Sequence, residues 1–273
     1  MKHSTYALVY LLIVLFASPT FAVEQATLAL PQTIAYKKPA KSSLKMLAQH
    51  QYNQFKSFLD QSLYGKGKAT FQKMSAQVKT NIHWRNGKGK NDYNEAFHRS
   101  HEFFKSVDLH GMPPTILLLA YMESQWQGKR GKKAADYGYW QLTPDVLREI
   151  QTLDYVPKNL RKANLNKLRE DPNLSTMAAL VHLRRYYFYF SKVAGYPESD
   201  AWLFTFTSFN WGAGNVKRML VEMQRKGIKA DFSNFYDYLY NTYQKNKGDR
   251  SMKAAVEYVP SLWNIAQLLK SAN

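Results

Sequence analysis

One glutamate, Glu123, closes an apolar stretch that runs Pro113, Pro114, Thr115, Ile116, Leu117, Leu118, Leu119, Ala120, Tyr121, Met122, Glu123, Ser124. A proline pair suits the first turn of a helix, where a missing N–H costs nothing, and the run after it is helix-forming until Gly128. Glu123 therefore falls in the last turn. On a 3.6-residue period it shares a face with Ile116, Leu119 and Ala120, so its carboxyl emerges from an apolar wall near the negative pole of the helix dipole. Both effects disfavour the ionised form, and a carboxylic acid held protonated near neutral pH is what general acid catalysis on a glycosidic oxygen requires. Helix position alone favours the plainer reading, a surface glutamate with its stem on the core. The residues that follow change the balance.

Other chemistries find less support. His98 and His101 share a helical face with Glu102 adjacent, which invites a metal. The order differs from the zinc-protease motifs and no second histidine pair completes a site, so packing roles are expected and no metal. Asn86, Gly87, Lys88 and Gly89 read as a basic turn; the glycine spacing and terminal Lys-Ser/Thr pair of a phosphate loop are missing, and no cofactor is expected. The absence of cysteine excludes disulfides, thiol catalysis and a lipid-modified cysteine behind an export signal.

The elements that must position these residues read as helices. From Ser42, Leu44, Ala48, Tyr52, Phe55, Leu59 and Leu63 recur every three or four residues, with Gly65 placed to stop the pattern; Phe71, Met74, Val78 and Ile82 carry a weaker second one. Asp92 with Glu95 suggests a capped start for a helix whose buried stripe is Phe97, His101 and Phe104. After Glu123, Gly128, Lys129, Arg130, Gly131, Lys132 and Lys133 form a loop. Thr143-Pro144 and Asp171-Pro172 are cap and first-position pairs. The second pair opens a long helix through Ala194, with Leu174, Ala178, Val181 and Phe188 inward and Gly195 as its end. Asp200 opens the next helix, to Asn210; Gly212 and Gly214 break the chain before Val216, Leu220 and Met223. Residues 232–243 read as helix, and 252–270 as a final helix interrupted at Pro260. No alternating run of useful length appears, so the fold is expected to be mainly α.

The first 22 residues stand apart: Lys2 and His3, an apolar run from Tyr6 to Ala17, then Ser18, Pro19, Thr20, Phe21 and Ala22. About 12 apolar residues are too few to span a bilayer, and the small-residue end suits a cleaved export signal. Residues 23–41 read as extended. A hydrophobic content of 45% indicates a globular chain, and a formal net charge of +18 points to an anionic partner. For an exported protein that partner is acidic wall polymer or a membrane surface; nucleic acid is disfavoured because no recognition motif accompanies the charge.

Four pieces stand in order: Glu123-Ser124, Gly138-Tyr139-Trp140-Gln141, Ser208-Phe209-Asn210 before Gly212, and Glu257-Tyr258-Val259-Pro260. Together they resemble the lytic murein transglycosylases of the soluble-transglycosylase (SLT) family, most closely the membrane-bound D type. In that family a Glu-Ser pair is followed by a Gly-Leu/Ile-Met/Trp-Gln motif, an Ala-Tyr-Asn motif and a late Tyr-Val-Pro. Gln141 falls 18 residues past Glu123, the family spacing. The resemblance covers roughly residues 105–270. It implies a lysozyme-like helical catalytic domain there, with residues 23–104 as an N-terminal segment and helical extension.

The resemblance further implies Glu123 as catalytic acid and base, Ser124 as a hydrogen-bond partner near it, and Gln141, Asn210 and Tyr258 lining a saccharide groove for peptidoglycan glycan strands. Read singly, each also has a structural alternative: Ser124 back-bonding to a helix carbonyl, Gln141 bracing a loop, Asn210 ending a helix, Tyr258 as a core ring. The chain departs from the family where Lys132, Ala135 and Asp136 occupy the places of a Ser and a Gly-Ala or Ala-Ala before Gly-x-x-Gln. Phe209 replaces the tyrosine of Ala-Tyr-Asn, and the D type's lipid-anchoring cysteine and wall-binding repeats have no counterpart.

The implied reaction is cleavage of the MurNAc–GlcNAc bond with formation of 1,6-anhydro ends, in the periplasm and without stable membrane insertion after signal cleavage. Two competitors remain. One is a lysozyme-like hydrolase with Asp136 or Asp145 as second carboxylate. The other is a non-catalytic wall-binding protein that uses its charge and Trp126, Trp140 and Trp211.

Overall fold

The computed structural model describes residues 42–79 and 88–270. The expected export signal at residues 1–22, the stretch 23–41, Ile82 and the Asn86-Gly87 pair lie outside the described residues.

Two helices open the described chain, α1 (Ser42–Ser62) and α2 (Gly65–Lys79). Ala48, Tyr52, Phe55 and Leu59 are buried along α1, as their spacing requires. Gly65, at φ +49°, turns the chain between the two helices. A short group follows: α3 (Lys88–Arg99), α4 (His101–Ser106), a 3₁₀ turn (Pro114–Ile116) and α5 (Leu117–Ser124). Next come α6 (Pro144–Gln151), α7 (Lys158–Lys162), α8 (Lys167–Glu170) and α9 (Pro172–Phe188), which runs into a π turn (Tyr189–Val193). The last four are α10 (Glu198–Trp211), α11 (Ala213–Arg225), α12 (Phe232–Lys245) and α13 (Arg250–Lys270). The fold is mainly α. Among the described residues the only extended pairing is two isolated bridges, Gly131 with Tyr137 and Tyr137 with Leu142.

Helix α10 is the centre of the packing. Ala201, Leu203, Phe204 and Phe206 are fully buried along it, and it touches α1, α9, α11 and α13. A helix apolar on every side is a core helix, and its neighbours cover it. Helix α2 lies against α12 and α13. Gly67 there passes so close to Ser233 that a Cβ would stand 2.1 Å from its carbonyl oxygen.

Thr143 and Asp171 cap their helices as read: Thr143 Oγ1 accepts from Val146 N at 3.3 Å, and Asp171 Oδ1 accepts from Asn173 N and Leu174 N at 3.0 and 2.9 Å. Elsewhere the structure corrects the reading. Lys88 and Gly89 belong to α3, not to a turn, and Asp92 lies inside that helix. The buried stripe lies one residue before the expected Phe97, His101 and Phe104: Tyr93, Ala96, Ser100 and Phe103 are buried at three- and four-residue spacing, while His101 is exposed.

Helix α10 starts at Glu198 behind Pro197, two residues before Asp200. Asp200 instead accepts from Phe232 N at 3.1 Å and ties α10 to the start of α12. Gly212, at φ +80°, makes the break before α11 by itself, and Gly214 is helical. Pro260 does not interrupt α13. Its missing N–H deprives the carbonyl of Val256, four residues earlier, of a helical donor, and the buried Tyr236 hydroxyl donates to that oxygen at 2.7 Å.

Candidate active site

Helix α5 carries Glu123 as its next-to-last residue. Ile116 through Ala120 are fully buried, so the helix emerges from the core and offers Glu123 at its open end. It stops at Ser124, short of Gly128, because Gln125 and Trp126 both take left-handed conformations, φ +52° and +56°. Two such non-glycine residues are strained, and packing holds them. The buried Trp126 ring donates from Nε1 to Leu117 O at 3.2 Å and lies edge-on to Phe104 and Tyr93, with centroids 4.8 and 5.1 Å away.

Glu123 is half-buried. Burial pushes its carboxyl up to about 7, the Tyr258 hydroxyl works against that shift, and the negative charge of Asp136 adds to it. The Tyr258 hydroxyl donates to Glu123 Oε1 at 2.6 Å. Tyr258 comes from α13 and is buried; desolvation, then the Glu123 charge, holds its phenol well above the usual range, so it remains a donor. A carboxyl that titrates near neutrality suits a group that releases a proton and later takes one back.

Ser124 is fully buried. Its Oγ lies 2.6 Å from Tyr139 O and 3.2 Å from Ala120 O, and accepts from Gln127 N at 3.1 Å. It fastens the end of α5 to the following loop and presents no surface to a ligand. Gln141, half-buried at φ +50°, donates from Nε2 to Gly138 O at 2.7 Å and to Arg130 O at 2.9 Å. Its amide N–H groups face the loop's own carbonyls. Asn210, one residue from the end of α10, is exposed, and Phe209 beside it packs edge-on to Trp140 and His182, with centroids 6.5 and 6.0 Å away. Of the sequence-predicted residues, Glu123 and Tyr258 are in direct contact; Ser124 and Gln141 hold the loop beside them.

Two residues escaped the sequence reading. Arg169, on α8, is buried beneath the loop; its guanidinium donates to Lys133 O at 2.9 Å, Ala135 O at 3.1 Å and Leu165 O at 3.2 Å, and lies 5.2 Å from the Tyr137 ring centroid. Its five fixed donors suit a loop whose carbonyls converge. Gly138, at φ +89°, passes over Arg169 with no room for a side chain, since a Cβ would stand 2.2 Å from Arg169 O. His182, buried behind Phe209, is pushed down to about 3 by desolvation and is therefore a neutral ring in the wall. Neither Arg169 nor His182 has a local sequence motif.

The tryptophans of the binding-protein alternative are placed differently from that expectation. Trp126 and Trp140 are core rings, and Trp211 is half-buried with its Nε1 donating to Ser251 Oγ at 3.1 Å. Asp145 is exposed and pairs with Arg148 at 2.9 Å. Lys129, Arg130, Lys132 and Lys133 give the loop an exposed cationic rim. Among the described residues no group of three His, Cys, Asp or Glu side chains is arranged to hold a metal, and no helix is long and apolar enough to cross a membrane.

Residues 103–232 match the family model described as the transglycosylase SLT domain. Members of that domain family are peptidoglycan lytic transglycosylases. The match supports a lytic transglycosylase or lysozyme-like function on peptidoglycan, and the mainly α architecture is consistent with it. It spans Glu123, Ser124, Gln141 and Asn210; Tyr258 and the helices α1 and α2 lie outside it. No curated protein matches the chain.

Proposed function

We propose that this protein is a lytic transglycosylase that cleaves the MurNAc–GlcNAc β-1,4 bond of peptidoglycan and leaves 1,6-anhydroMurNAc ends. The observation that carries the reading is one carboxyl, Glu123, raised to about 7 and held by the Tyr258 hydroxyl. Glu123 donates its proton to the bridging oxygen as the bond to C1 breaks, and the substrate's acetamido carbonyl supports the charge at C1. The resulting carboxylate then takes the proton of the C6 hydroxyl of the same sugar, whose oxygen closes onto C1. The enzyme ends protonated as it began, and no water is consumed. Tyr258 steadies the ionised form between the two steps, because a donor 2.6 Å away favours the charged carboxylate.

In this reading Asn210 and Phe209 border the saccharide groove, and the cationic rim meets the carboxylates of the wall polymer. Ser124 and Gln141 act through the loop they brace. The order of the four motifs supports a likeness to the membrane-bound D type, and the composition of the first 22 residues supports export to the periplasm. The test is mass spectrometry of muropeptides after incubation of sacculi with the purified mature protein. Products one water lighter than hydrolysis fragments, resistant to borohydride at MurNAc, are expected.

A second reading has one observation in its favour: Asp136 is near enough for its charge to raise Glu123. A hydrolase using Asp136 to activate water gives reducing ends, and a predominance of these overturns the transglycosylase assignment.

A further inference from the structure

The acid and its tyrosine sit on separate helices, and both helices are held by the same piece of chain outside the family match. We propose that α1 and α2 form a clamp that sets the Glu123–Tyr258 distance, with Gln54 and Gln51 as positioning residues. The proposal rests on the reading of Glu123 as the acid.

The start of α5 has no cap of its own. Neither Pro113 before the 3₁₀ turn nor Ile116 before α5 offers a side-chain acceptor to the first-turn N–H groups. Helix α1 supplies one. Gln54 Oε1 accepts from Thr115 N at 3.3 Å and from the Thr115 hydroxyl at 2.6 Å. One turn earlier, Gln51 Nε2 donates to Pro114 O at 3.3 Å, and its Oε1 accepts from the Tyr93 hydroxyl at 3.2 Å. Gln51 and Thr115 are fully buried. A buried amide costs more than an apolar side chain of the same size unless it is bonded, and here its bonds fix the direction in which α5 leaves the core.

The same two helices hold α13 beyond Tyr258. Tyr52 and Phe55 of α1 stack on Trp263, with centroids 5.6 and 6.0 Å away. Ser75 of α2 donates to Asn264 Oδ1 at 2.8 Å, and its carbonyl accepts from Asn264 Nδ2 at 2.9 Å. Helix α5 is short, about 12 Å at 1.5 Å per residue, so a tilt at Thr115 is carried to Glu123. Productive geometry tolerates displacements of only about 0.5 Å.

The experiment compares Gln54→Met, Gln54→Ala and Gln54→Glu with wild type on sacculi. Loss of the acceptor in Gln54→Met should lower kcat about tenfold, the change that 1.36 kcal/mol produces, with KM little altered. Gln54→Glu keeps the acceptor and should restore kcat. In a Tyr258→Phe background Gln54→Met should lose most of its effect, because both act on one contact. Wild-type kcat in Gln54→Met, or full additivity with Tyr258→Phe, overturns the clamp; if Gln54→Met fails to fold, Gln54→Ala takes its place under the same two criteria.

A readout free of turnover separates this proposal from the function it rests on. Carbon-13 NMR of the Glu123 carboxyl, assigned by its loss in Glu123→Gln, should titrate at higher pH in Gln54→Met as the Tyr258 bond lengthens. An unchanged midpoint overturns the clamp even in a protein that cleaves nothing. A wild type without anhydro products overturns the function alone.

Discussion

The Tyr258 hydroxyl stands 2.6 Å from Glu123 Oε1, although 135 positions separate the two residues. Tyr258 lies beyond the SLT match and Glu123 within it, so the contact joins the matched domain to the last helix. It also acts on Glu123 in the direction opposite to burial.

Removing that hydroxyl should therefore raise the Glu123 pKa above about 7. A hydrogen bond to a charged group is worth roughly 1.5–3 kcal/mol, or about 1–2 pH units. In Tyr258→Phe the alkaline limb of kcat/KM should move up by about one unit, because the acid stays protonated to higher pH, while kcat falls. A pH–rate profile with an unmoved limb removes Tyr258 from the site.

Glu123→Gln should abolish turnover and change stability with a definite sign. The folded carboxyl titrates near 7 against an ordinary 4.5. Its protonated form is thus compatible with the fold, and stability is lost as pH rises from the unfolded toward the folded value. At 1.36 kcal/mol per unit the penalty at pH 8 reaches about 3 kcal/mol. The amide carries none of it. Urea unfolding should show the variant more stable than wild type at pH 8 and nearly equal at pH 4; the reverse order contradicts the buried-acid reading.

Arg169 should be needed for the loop and not for charge. Arg169→Lys keeps the cation but cannot reach Lys133 O, Ala135 O and Leu165 O together. A loss of about 2–4 kcal/mol is expected, as buried carbonyls lose their donors, together with most activity. Gly138→Ala should do likewise, since its Cβ collides with Arg169 O. Thermal unfolding and wall-clearing assays on both variants check this.

Wall association should weaken with salt. The cationic rim at Lys129, Arg130 and Lys132 is exposed, and the Debye length falls from ~10 Å at 0.1 M to ~3 Å at 1 M. Sedimentation with purified sacculi at both salts measures it, and equal binding would remove charge from the explanation.

Much of this was legible in the sequence. The 3.6-residue periods located the long helices, and the proline-preceded caps at Thr143 and Asp171 fixed two starts. The wall behind Glu123 followed from Ile116, Leu119 and Ala120. What the sequence hid was tertiary. Phe103, not His101, turns inward because the face that meets the core runs Tyr93, Ala96, Ser100, Phe103, one residue before the stripe the spacing suggested, and Asp200 is a stitch to α12 instead of a cap. Arg169 has no local pattern, since two of its three carbonyl partners lie 34 and 36 residues away. Ser124 and Gln141 were assigned by motif, and motifs do not say whether a side chain faces a ligand or its own loop.

Pro260 leaves one further mark. Because it withholds an amide from Val256 O, and Tyr236 supplies the missing proton donor, positions 236 and 260 are bound to a common history. Phenylalanine at 236 would strand a buried oxygen unless 260 regained an N–H; an ordinary residue at 260 would add its N–H to that oxygen, whose two lone pairs can serve both donors. Position 236 does not drift freely while 260 is proline. Across descendants of this chain, the tyrosine at 236 should be lost only where the proline at 260 has already gone.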